Sequence, residues 1–397
     1  MIFRSERLSA ALLVLAAALG LVLANSPVGE GILGVRDTYL DIPWLGIHLS
    51  GGHWITDGLL AVFFFLAAIE LRHELTRGEL DSPRKAFIPV IAAVGGVIAP
   101  AVIFLLLVPD PALAAGWPIP TATDIAFALG VLSLVARGLP ARVRAFLLAL
   151  AVIDDLIAIV LIAFFFTTDL APLPLLAAVP VILVFGFLSH RVLGRGKRVL
   201  IPVLVLLGLA AWLLVLLSGV HATIAGVALG LIMAPHAAER VRHVLEPWSN
   251  AVVLPLFAFT ASLVVVPAVG GEAWSPVFLA LAIALPIGKV LGIGAGGILG
   301  SRLVPASERR AALPLGDLAV VATLGGIGFT VSLLMNELAY EGQPEVAAEG
   351  TLGVLTGSTV AAIAGVVVTA IRAAQHRRAA VSSDAPDATP GRPTSGR

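Results

Sequence analysis

Two adjacent aspartates, Asp154 and Asp155, interrupt an apolar run that extends from Leu150 to Phe166. A carboxylate at the centre of a bilayer costs about 3 kcal/mol on insertion scales unless it has a partner or water. Because neighbouring residues of a helix point about 100° apart, one carboxylate can face an aqueous cavity while the other faces another helix. The pair is therefore suited to binding a cation on one side while the other side tunes the site.

Lys289 is the candidate partner for this pair. It lies in the apolar segment LPIGKVLGIG. The nearest charged loop is roughly ten residues away, about 15 Å along a helix, which is too far for easy snorkelling of the ammonium to the interface. A buried ammonium requires a carboxylate, and either Asp154 or Asp155 can supply it. The alternative is a static salt bridge that takes no part in function.

Two segments place helix-breaking residues inside apolar surroundings. In the first, residues 118–127 (PIPTATDIAF), two prolines are followed by the good capping residues Thr123 and Asp124. This order predicts an interrupted helix whose second half begins near Asp124, with the carboxylate offsetting the positive helix end. A plain proline kink that leaves Asp124 near the membrane interface is the alternative.

The second segment, residues 323–332 (TLGGIGFTVS), contains three glycines that predict another interruption at mid-span. Close helix packing through small residues is the alternative interpretation. The two interruptions fall in the middle members of two triplets of predicted spans, the third to fifth and the tenth to twelfth. Corresponding breaks in two halves point to inverted-topology repeats with a transport site between them.

Composition sets the class of protein. Of the 397 residues, 59% are hydrophobic and 13% are charged, whereas a soluble domain carries about 25% charged residues. Several apolar runs reach the roughly 20 residues needed to cross hydrocarbon, which predicts an all-α polytopic membrane protein. Zero net charge gives no indication of a nucleic-acid partner, and the absence of cysteine excludes thiol catalysis, thiolate metal sites and disulfides.

The apolar runs predict one transmembrane domain, residues 1–378, with a disordered tail at residues 379–397. A cleaved signal peptide is the alternative for the first run, which is long for one. Residues 37–52 alternate polar and apolar positions and predict an external hairpin. The twelve predicted spans are residues 8–25, 55–75, 87–108, 113–135, 142–166, 172–190, 199–217, 219–234, 248–269, 275–300, 313–339 and 349–371.

The basic residues support this count. All of the 25 lysines and arginines except Arg36 and Lys289 fall at the N-terminus, in alternate loops or in the C-terminal segment. Basic residues mark the cytoplasmic loops of membrane proteins, and a miscounted span would scramble the alternation. Twelve spans with both ends in the cytoplasm are therefore predicted.

Two mixed charge clusters are predicted at the cytoplasmic face, one closing the second span and one preceding the ninth. Their members are Glu70, Arg72, His73, Glu74, Arg240, Arg242, His243 and Glu246. Because histidine titrates near neutral pH, a joint hydrogen-bonded network could sense pH. Ordinary interfacial charge is the alternative. Asp57, Asp317 and His221 are interpreted as residues at the ends of spans.

Nine segments, in this order, resemble the NhaA sodium/proton antiporters of bacteria over about residues 5–375. They are AVFFFLAAIELRHEL, PVIAAVGG, PTATDIAFALGVL, LAVIDDLIAI, SGVHATIAG, HVLEPW, LPLFAF, IGKVLGI and GGIGFTVS. The resemblance implies twelve helices, of which the interrupted fourth and eleventh cross. It also implies an electrogenic Na⁺(Li⁺)/H⁺ antiporter of the bacterial cytoplasmic (inner) membrane that serves sodium and pH homeostasis. Na⁺, Li⁺ and H⁺ would be the transported ions, no cofactor would be needed, and the hairpin would form a homodimer contact.

The resemblance further implies roles for individual residues. Asp155 would bind the sodium ion, and Asp154 beside it would pair with Lys289. Asp124, together with Thr123, would lie at the crossing and offset the helix ends. The pH-response region would comprise Glu70, Glu74, His243 and neighbouring residues.

The chain departs from the pattern of the family in that pH region. His73 stands where the family has arginine, Arg242 where it has glutamate, and Glu246 where it has histidine. The carboxylates expected to carry transport are intact. The departures therefore affect the expected pH-activation profile and leave the expectation of transport unchanged.

Two other functions are compatible with membrane aspartates. An intramembrane aspartyl protease would place them on facing helices, typically with a Gly-x-Gly-Asp motif, but PLGD at residues 314–317 lacks the first glycine. A sodium-coupled solute symporter of related architecture would need a solute pocket, and no polar or aromatic cluster in the sequence suggests one. The antiporter is the function that we predict.

Overall fold

The protein is described by a computed structural model over residues 6–78, 80–136, 138–167, 170–191, 197–266, 275–305 and 312–383. Across these residues the regular secondary structure is helical, except for one short two-stranded sheet. The helices are α1 (Glu6–Ala24), α2 (Gly29–Asp37), α3 (Gly51–Arg77), α4 (Pro83–Leu107), α5 (Ile125–Val135), α6 (Ala141–Phe165), α7 (Pro172–Ser189), α8 (Lys197–Leu216), α9 (Thr223–Ile232), α10 (Pro235–Ala261), α11 (Pro276–Leu303), α12 (Leu315–Gly325), α13 (Phe329–Ala339) and α14 (Pro344–Ser383).

Among the described residues, nine helical segments are long and apolar enough to cross a membrane, and the bent pair α12–α13 adds a tenth. Two shorter apolar helices, Leu200–Leu216 and Thr223–Ile232, lie where the seventh and eighth spans are predicted. The polytopic all-helical fold is thus confirmed. The count of twelve spans stays a prediction, because these two helices are short for a bilayer crossing.

The sheet is a hairpin within the range predicted from the alternating pattern. Strand β1 (Tyr39–Ile42) pairs antiparallel with β2 (Ile47–Ser50), with Tyr39 opposite Ser50 and Ile42 opposite Ile47. A 3₁₀ turn connects the strands and ends at Gly46, whose φ of 68° lies in the left-handed region that favours glycine. The hairpin therefore connects α2 to the start of α3.

The ninth predicted span begins earlier than expected. The helix starts at Pro235 instead of residue 248, so Arg240, Arg242, His243 and Glu246 lie on α10 and do not precede it. Hydropathy detects only the apolar part of such a helix, whereas arginine and glutamate are themselves good helix formers and proline is suited to the first helical position. The helix ends at Ala261, short of the predicted end at residue 269, because residues 262–266 are not helical; residues 267–269 lie outside the described residues.

The last helix also runs further than predicted. It continues to Ser383, past the expected end at residue 371, because alanine, arginine and glutamine favour helix in the added turns. The rest of the predicted tail, residues 384–397, lies outside the described residues. So do several predicted loop cations, namely Arg4, Arg137, Arg195, Arg309 and Arg310.

Glycines bring α4 and α11 into close contact and so determine where Lys289 lies. A Cβ on Gly292 would lie 2.1 Å from the carbonyl oxygen of Gly95, and one on Gly288 would lie 2.5 Å from Pro100. Side chains at these positions would force the helices apart, as expected where small residues form the helix interface. The first residue after Gly288 is Lys289, which is fully buried.

Candidate functional site

The two interrupted spans meet at Asp124. Its backbone N–H donates to the carbonyl oxygen of Ile327 (2.6 Å), and its Oδ1 accepts from the N–H of Phe127 (2.9 Å), which caps α5. Its Oδ2 accepts from both the N–H (3.2 Å) and the hydroxyl (2.6 Å) of Thr330 in the first turn of α13. One buried carboxylate therefore caps the N-termini of two helices and offsets the partial positive charge of both.

Both predicted interruptions are present in the structure. Before α5 the chain forms a 3₁₀ turn at Ile119–Thr121 and is extended at Ala122 and Asp124, so the first half of the fourth span is not a regular α-helix. Between Gly325 and Phe329 the chain breaks again, and α12 and α13 are bent by 45°. The irregular segments place backbone polar groups next to buried side chains, which is typical of membrane sites for ions.

Lys289 contacts Asp154 and Thr123 in the buried interior. Its Nζ donates to Asp154 Oδ2 (2.7 Å) and to the hydroxyl of Thr123 (3.0 Å). The hydroxyl oxygen of Thr123 lies 2.7 Å from Asp154 Oδ2 and 2.9 Å from the carbonyl oxygen of Gly325. Because the hydroxyl has a single hydrogen, it donates to one of these two acceptors at a time. Of the two aspartates that the sequence left open, the structure thus places Asp154 against the lysine. Thr123 connects this pair to the end of α12.

Asp155 is placed differently from its neighbour. It is half-buried on α6, and in the described part of the chain its carboxylate makes no hydrogen bond or ion pair. The charges that act on it are those of Asp154, Asp124, Glu70 and Lys289. The second oxygen of Asp154, Oδ1, is buried and also lacks a hydrogen-bond partner there. Two adjacent carboxylates thus offer oxygens to a hard cation, which binds oxygen ligands.

The predicted pH-response residues lie on α3 and α10, and Arg242 joins the two helices. Its Nη1 lies 3.4 Å from Glu70 Oε2, and its Nη2 donates to Glu239 Oε1 (3.2 Å). Of the two glutamates in the cluster on α3, the structure places Glu70 against Arg242. Glu74 is buried, His73 is half-buried, and His243 and Glu246 are exposed on α10. His73, Glu74 and Glu246 are close enough to act electrostatically on Glu70.

Asp317 has more partners than its interpretation as a span-end residue implied. Its carboxylate is fully buried at the start of α12 and contacts Arg372 (2.6 Å), His376 (2.8 Å) and Arg142 (3.3 Å). A signal in the sequence was available, because Arg372 and His376 are four residues apart and so share a helix face. The last predicted span ends at residue 371, so both residues fall beyond the predicted helix, where a four-residue spacing does not indicate a shared face.

At the end of the bundle opposite Asp317, titratable side chains surround a cavity of about 1100 Å³. Asp57 and His221, both interpreted as span-end residues, approach each other to 3.1 Å there. The hydroxyl of Thr56 lies 3.3 Å from the carboxylate of Glu337. Glu337 lies within α13 and is not among the residues predicted from the sequence. Neither Asp154, Asp155 nor Lys289 lines this cavity, so it is separate from the paired aspartates.

Comparisons with known proteins place the chain in a family. The model of the family described as "Na+/H+ antiporter 1" matches residues 1–369. A protein of Clavibacter michiganensis subsp. michiganensis named Na(+)/H(+) antiporter NhaA 2 is 51% identical over 391 residues, which is 98% of this chain and 96% of that protein. Proteins named Na(+)/H(+) antiporter NhaA from Tropheryma whipplei and Thermobifida fusca are 43% and 42% identical, covering 92% and 95% of this chain and 94% of each relative. With the match extending over both interrupted spans and the paired aspartates, the chain belongs to the Na+/H+ antiporter 1 family.

Proposed function

We propose that this protein is an electrogenic Na⁺(Li⁺)/H⁺ antiporter of the bacterial cytoplasmic membrane, with both chain ends in the cytoplasm. The observation that carries the proposal is the contrast within the aspartate pair. Asp154 is bound by a buried lysine, whereas Asp155 makes no bond within the described residues. A carboxylate left unpaired beside two broken helices is available for a transported cation. The names of the relatives agree with this assignment.

Asp155 would be the principal ligand of the cation. Oδ1 of Asp154 would add a second oxygen, while its Oδ2 stays with Lys289 and Thr123. A proton and a sodium ion cannot both occupy the same carboxylate oxygen, so the two ions compete for the site. This competition produces exchange, because the site opens to the two sides of the membrane in turn and carries either the cation or protons between them.

The stoichiometry proposed is one Na⁺ for two H⁺, which moves one net charge per cycle. Asp155 carries one proton after the cation leaves. The second proton belongs to the Lys289–Asp154 pair, on either the ammonium or the carboxylate. Because one hydrogen bond joins these groups, a proton that leaves Lys289 would loosen the pair and increase the negative charge that faces the cation.

Asp124 would act on the helix ends and would not bind the ion. It caps both α5 and α13, so its charge stays with the crossing when these short helices move. Thr123, the next residue back along the chain, links the crossing to the Lys289–Asp154 pair through its hydroxyl. The movement of the interrupted spans is thereby coupled to the protonation and occupancy of the pair.

The charge network on α3 and α10 would adjust activity to pH at the cytoplasmic face. Arg242 remains charged at physiological pH, so its pair with Glu70 is not a titrating contact. Of the two histidines in this region, His73 is the one close enough to Glu70 to act on it electrostatically. The proposed region comprises Glu70, His73, Glu74, Arg242, His243 and Glu246.

We also propose a homodimer formed through the hairpin on the outer face. Trp44, at its turn, is 82% exposed, and Tyr39 and Leu40 on β1 are more than half exposed. Large apolar side chains on a rigid strand pair are suited to pairing with a second copy. Sodium and pH homeostasis of the cell would be the role of the assembled protein.

The test is a ΔpH assay in everted membrane vesicles, with Na⁺, Li⁺ and K⁺ added separately between pH 6 and 9. We expect Na⁺ and Li⁺, but not K⁺, to dissipate the imposed pH gradient without any added solute. Dependence on an added solute would favour a sodium-coupled symporter instead. Absence of any cation response in vesicles that contain the folded protein would overturn the proposal.

A further inference from the structure

Polar contacts hold α13 on α14 at both of its ends. At the start of α13, the N–H of Phe329 donates to the hydroxyl oxygen of Ser358 (3.0 Å). Near the other end, Nδ2 of Asn336 donates to the carbonyl oxygen of Ala347 (2.8 Å) and to the hydroxyl oxygen of Thr351 (3.2 Å). The two α13 residues are seven apart in the sequence, and so are Ser358 and Thr351, so each pair shares one helix face. These contacts form one polar seam, the α13–α14 seam, between antiparallel helices.

The Phe329 end of the seam lies where the second interrupted span resumes. With a φ of 22°, Phe329 is the one non-glycine residue of the described chain that has a positive φ. A bulky side chain disfavours this conformation, which persists only where surrounding contacts enforce it. The first N–H groups of a helix also have no partner within the helix and need another acceptor. Ser358, which is 3% exposed, supplies that acceptor.

Close packing fixes the position of α14 beside the chain break. A Cβ on Gly326, in the break, would lie 3.2 Å from the Cβ of Ala361 on α14. A Cβ on Gly365 of α14 would lie 2.7 Å from the side chain of Leu324, near the end of α12. Small residues thus let α14 lie directly against the break. Ser358, about one turn before Ala361, is thereby held at the N-terminus of α13.

The residue after Phe329 is Thr330, whose N–H and hydroxyl both donate to Asp124 Oδ2. The orientation of the first turn of α13 therefore decides whether these two donors face Asp124. We propose that Ser358 is a positioning residue for cation exchange, because it holds this turn in the orientation in which Thr330 reaches Asp124. The inference rests on the exchange function proposed above.

Loss of the Ser358 hydroxyl would leave a buried N–H without its acceptor, which is costly. The backbone at Phe329 would relax toward a negative φ, and Thr330 would turn away from Asp124. Asp124 would then cap α5 alone, and the two interrupted spans would no longer move as one unit. Exchange would slow, whereas the affinity for Na⁺ would change little, because Ser358 is not a ligand of the proposed cation site.

Ser358→Ala tests this in everted vesicles, with rates expressed per amount of folded protein. We expect the maximal rate of Na⁺-driven exchange to fall about tenfold, the equivalent of one buried hydrogen bond, with little change in the apparent KM for Na⁺. Ser358→Thr keeps the hydroxyl and should recover most of the rate. Ser358→Cys, which offers a weak acceptor of similar size, should give an intermediate rate.

Thr351→Val is the matched control, because it removes the other buried hydroxyl of the α13–α14 seam, at the end distant from Asp124. Its rate per folded protein should match that of the unaltered protein. Thr330→Val adds a second readout, since it removes the hydroxyl bond to Asp124. If Ser358 acts through Thr330, combining Thr330→Val with Ser358→Ala should lower the rate by much less than the product of the two single effects.

Three results would overturn the inference: a normal rate for Ser358→Ala, equal losses of rate in Ser358→Ala and Thr351→Val, or fully multiplicative effects in the double variant. If Ser358→Ala does not fold, Ser358→Thr and Ser358→Cys decide, and equal rates in these two variants would count against the inference. Failure of the unaltered protein to exchange Na⁺ would instead overturn the proposed function.

Discussion

Two buried carboxylates, Asp154 and Asp317, are both fully inaccessible and both paired with cations, yet their surroundings differ. Asp317 has three partners, two arginines and a histidine, that occupy both of its oxygens. Asp154 has one lysine and one hydroxyl, both on the same oxygen, and its other oxygen has no hydrogen-bond partner among the described residues. Beside it, Asp155 likewise makes no hydrogen bond or ion pair with any residue that the structure describes.

On the function proposed above, the difference separates a structural charge from one that can exchange ions. A carboxylate with both oxygens bound by fixed donors, here called saturated, gains little from binding another cation. A pair that retains unoccupied oxygens, and has only one cation to share, is costly to bury and is stabilised when a proton or Na⁺ arrives. The saturation of the carboxylates, more than their depth in the protein, distinguishes the proposed cation site from the Asp317 cluster.

The largest effect on exchange is expected when Asp155 is altered. Asp155→Asn removes a charged ligand with almost no change in volume, and we expect Na⁺-dependent ΔpH to fall to the background of vesicles without the protein. Asp110→Asn is the matched control, because Asp110 is exposed in a loop and an asparagine there can still accept its local hydrogen bond from Ala112. Normal exchange by Asp155→Asn would mean that the unsaturated carboxylate is not the site.

A smaller effect is expected at Lys289, the cation bound to Asp154, and it concerns the stability of the protein. Lys289→Ala should lower the free energy of unfolding by about 3–5 kcal/mol, because an uncompensated buried carboxylate remains. Adding Asp154→Asn should recover part of this loss, since the charge that Lys289 balanced is then gone. Thermal unfolding of the purified proteins in detergent measures both steps. A double variant no more stable than Lys289→Ala would show that the two side chains are not energetic partners.

The saturated cluster should tolerate the loss of one cation much better. Arg142 is 49% exposed and lies 3.3 Å from Asp317, which keeps Arg372 and His376. We expect Arg142→Ala to cost about 1 kcal/mol or less, as for other exposed ion pairs. The same unfolding assay makes the comparison with Lys289→Ala direct. Equal losses at the two positions would remove the distinction between the saturated and unsaturated carboxylates.

The smallest effect is expected at the network on α3 and α10. His73→Arg places a permanent charge beside Glu70 and should shift the pH profile of exchange, whereas His243→Ala should shift it less, because His243 is exposed on α10. Both profiles are measured as vesicle ΔpH from pH 6 to 9. If neither variant differs from the unaltered protein, the pH dependence arises from competition of Na⁺ and H⁺ at Asp154 and Asp155, without a contribution from this network.

Much of the molecule was predictable from local features of the sequence. Apolar runs, prolines, glycines and the distribution of basic residues determined the membrane class, the hairpin and the positions of the two broken spans. Each of these signals acts within a few residues, since helix propensity, a missing backbone donor or a capping side chain affects only neighbouring turns. A charge inside an apolar run is likewise visible without a structure, as Asp154, Asp155 and Lys289 show.

What only the tertiary structure decided is which distant groups meet. The rotation and depth of each helix place Lys289 against Asp154 and bring Thr330 onto the carboxylate of Asp124. They leave Asp155 without a hydrogen bond or ion pair in the described part of the chain. They also bring His376 to Asp317. These contacts depend on packing, such as the close approach of Gly292 to Gly95. A sequence pattern states which face of a helix is apolar but not which neighbour it will meet, and the saturation of each carboxylate is therefore a property of the folded protein alone.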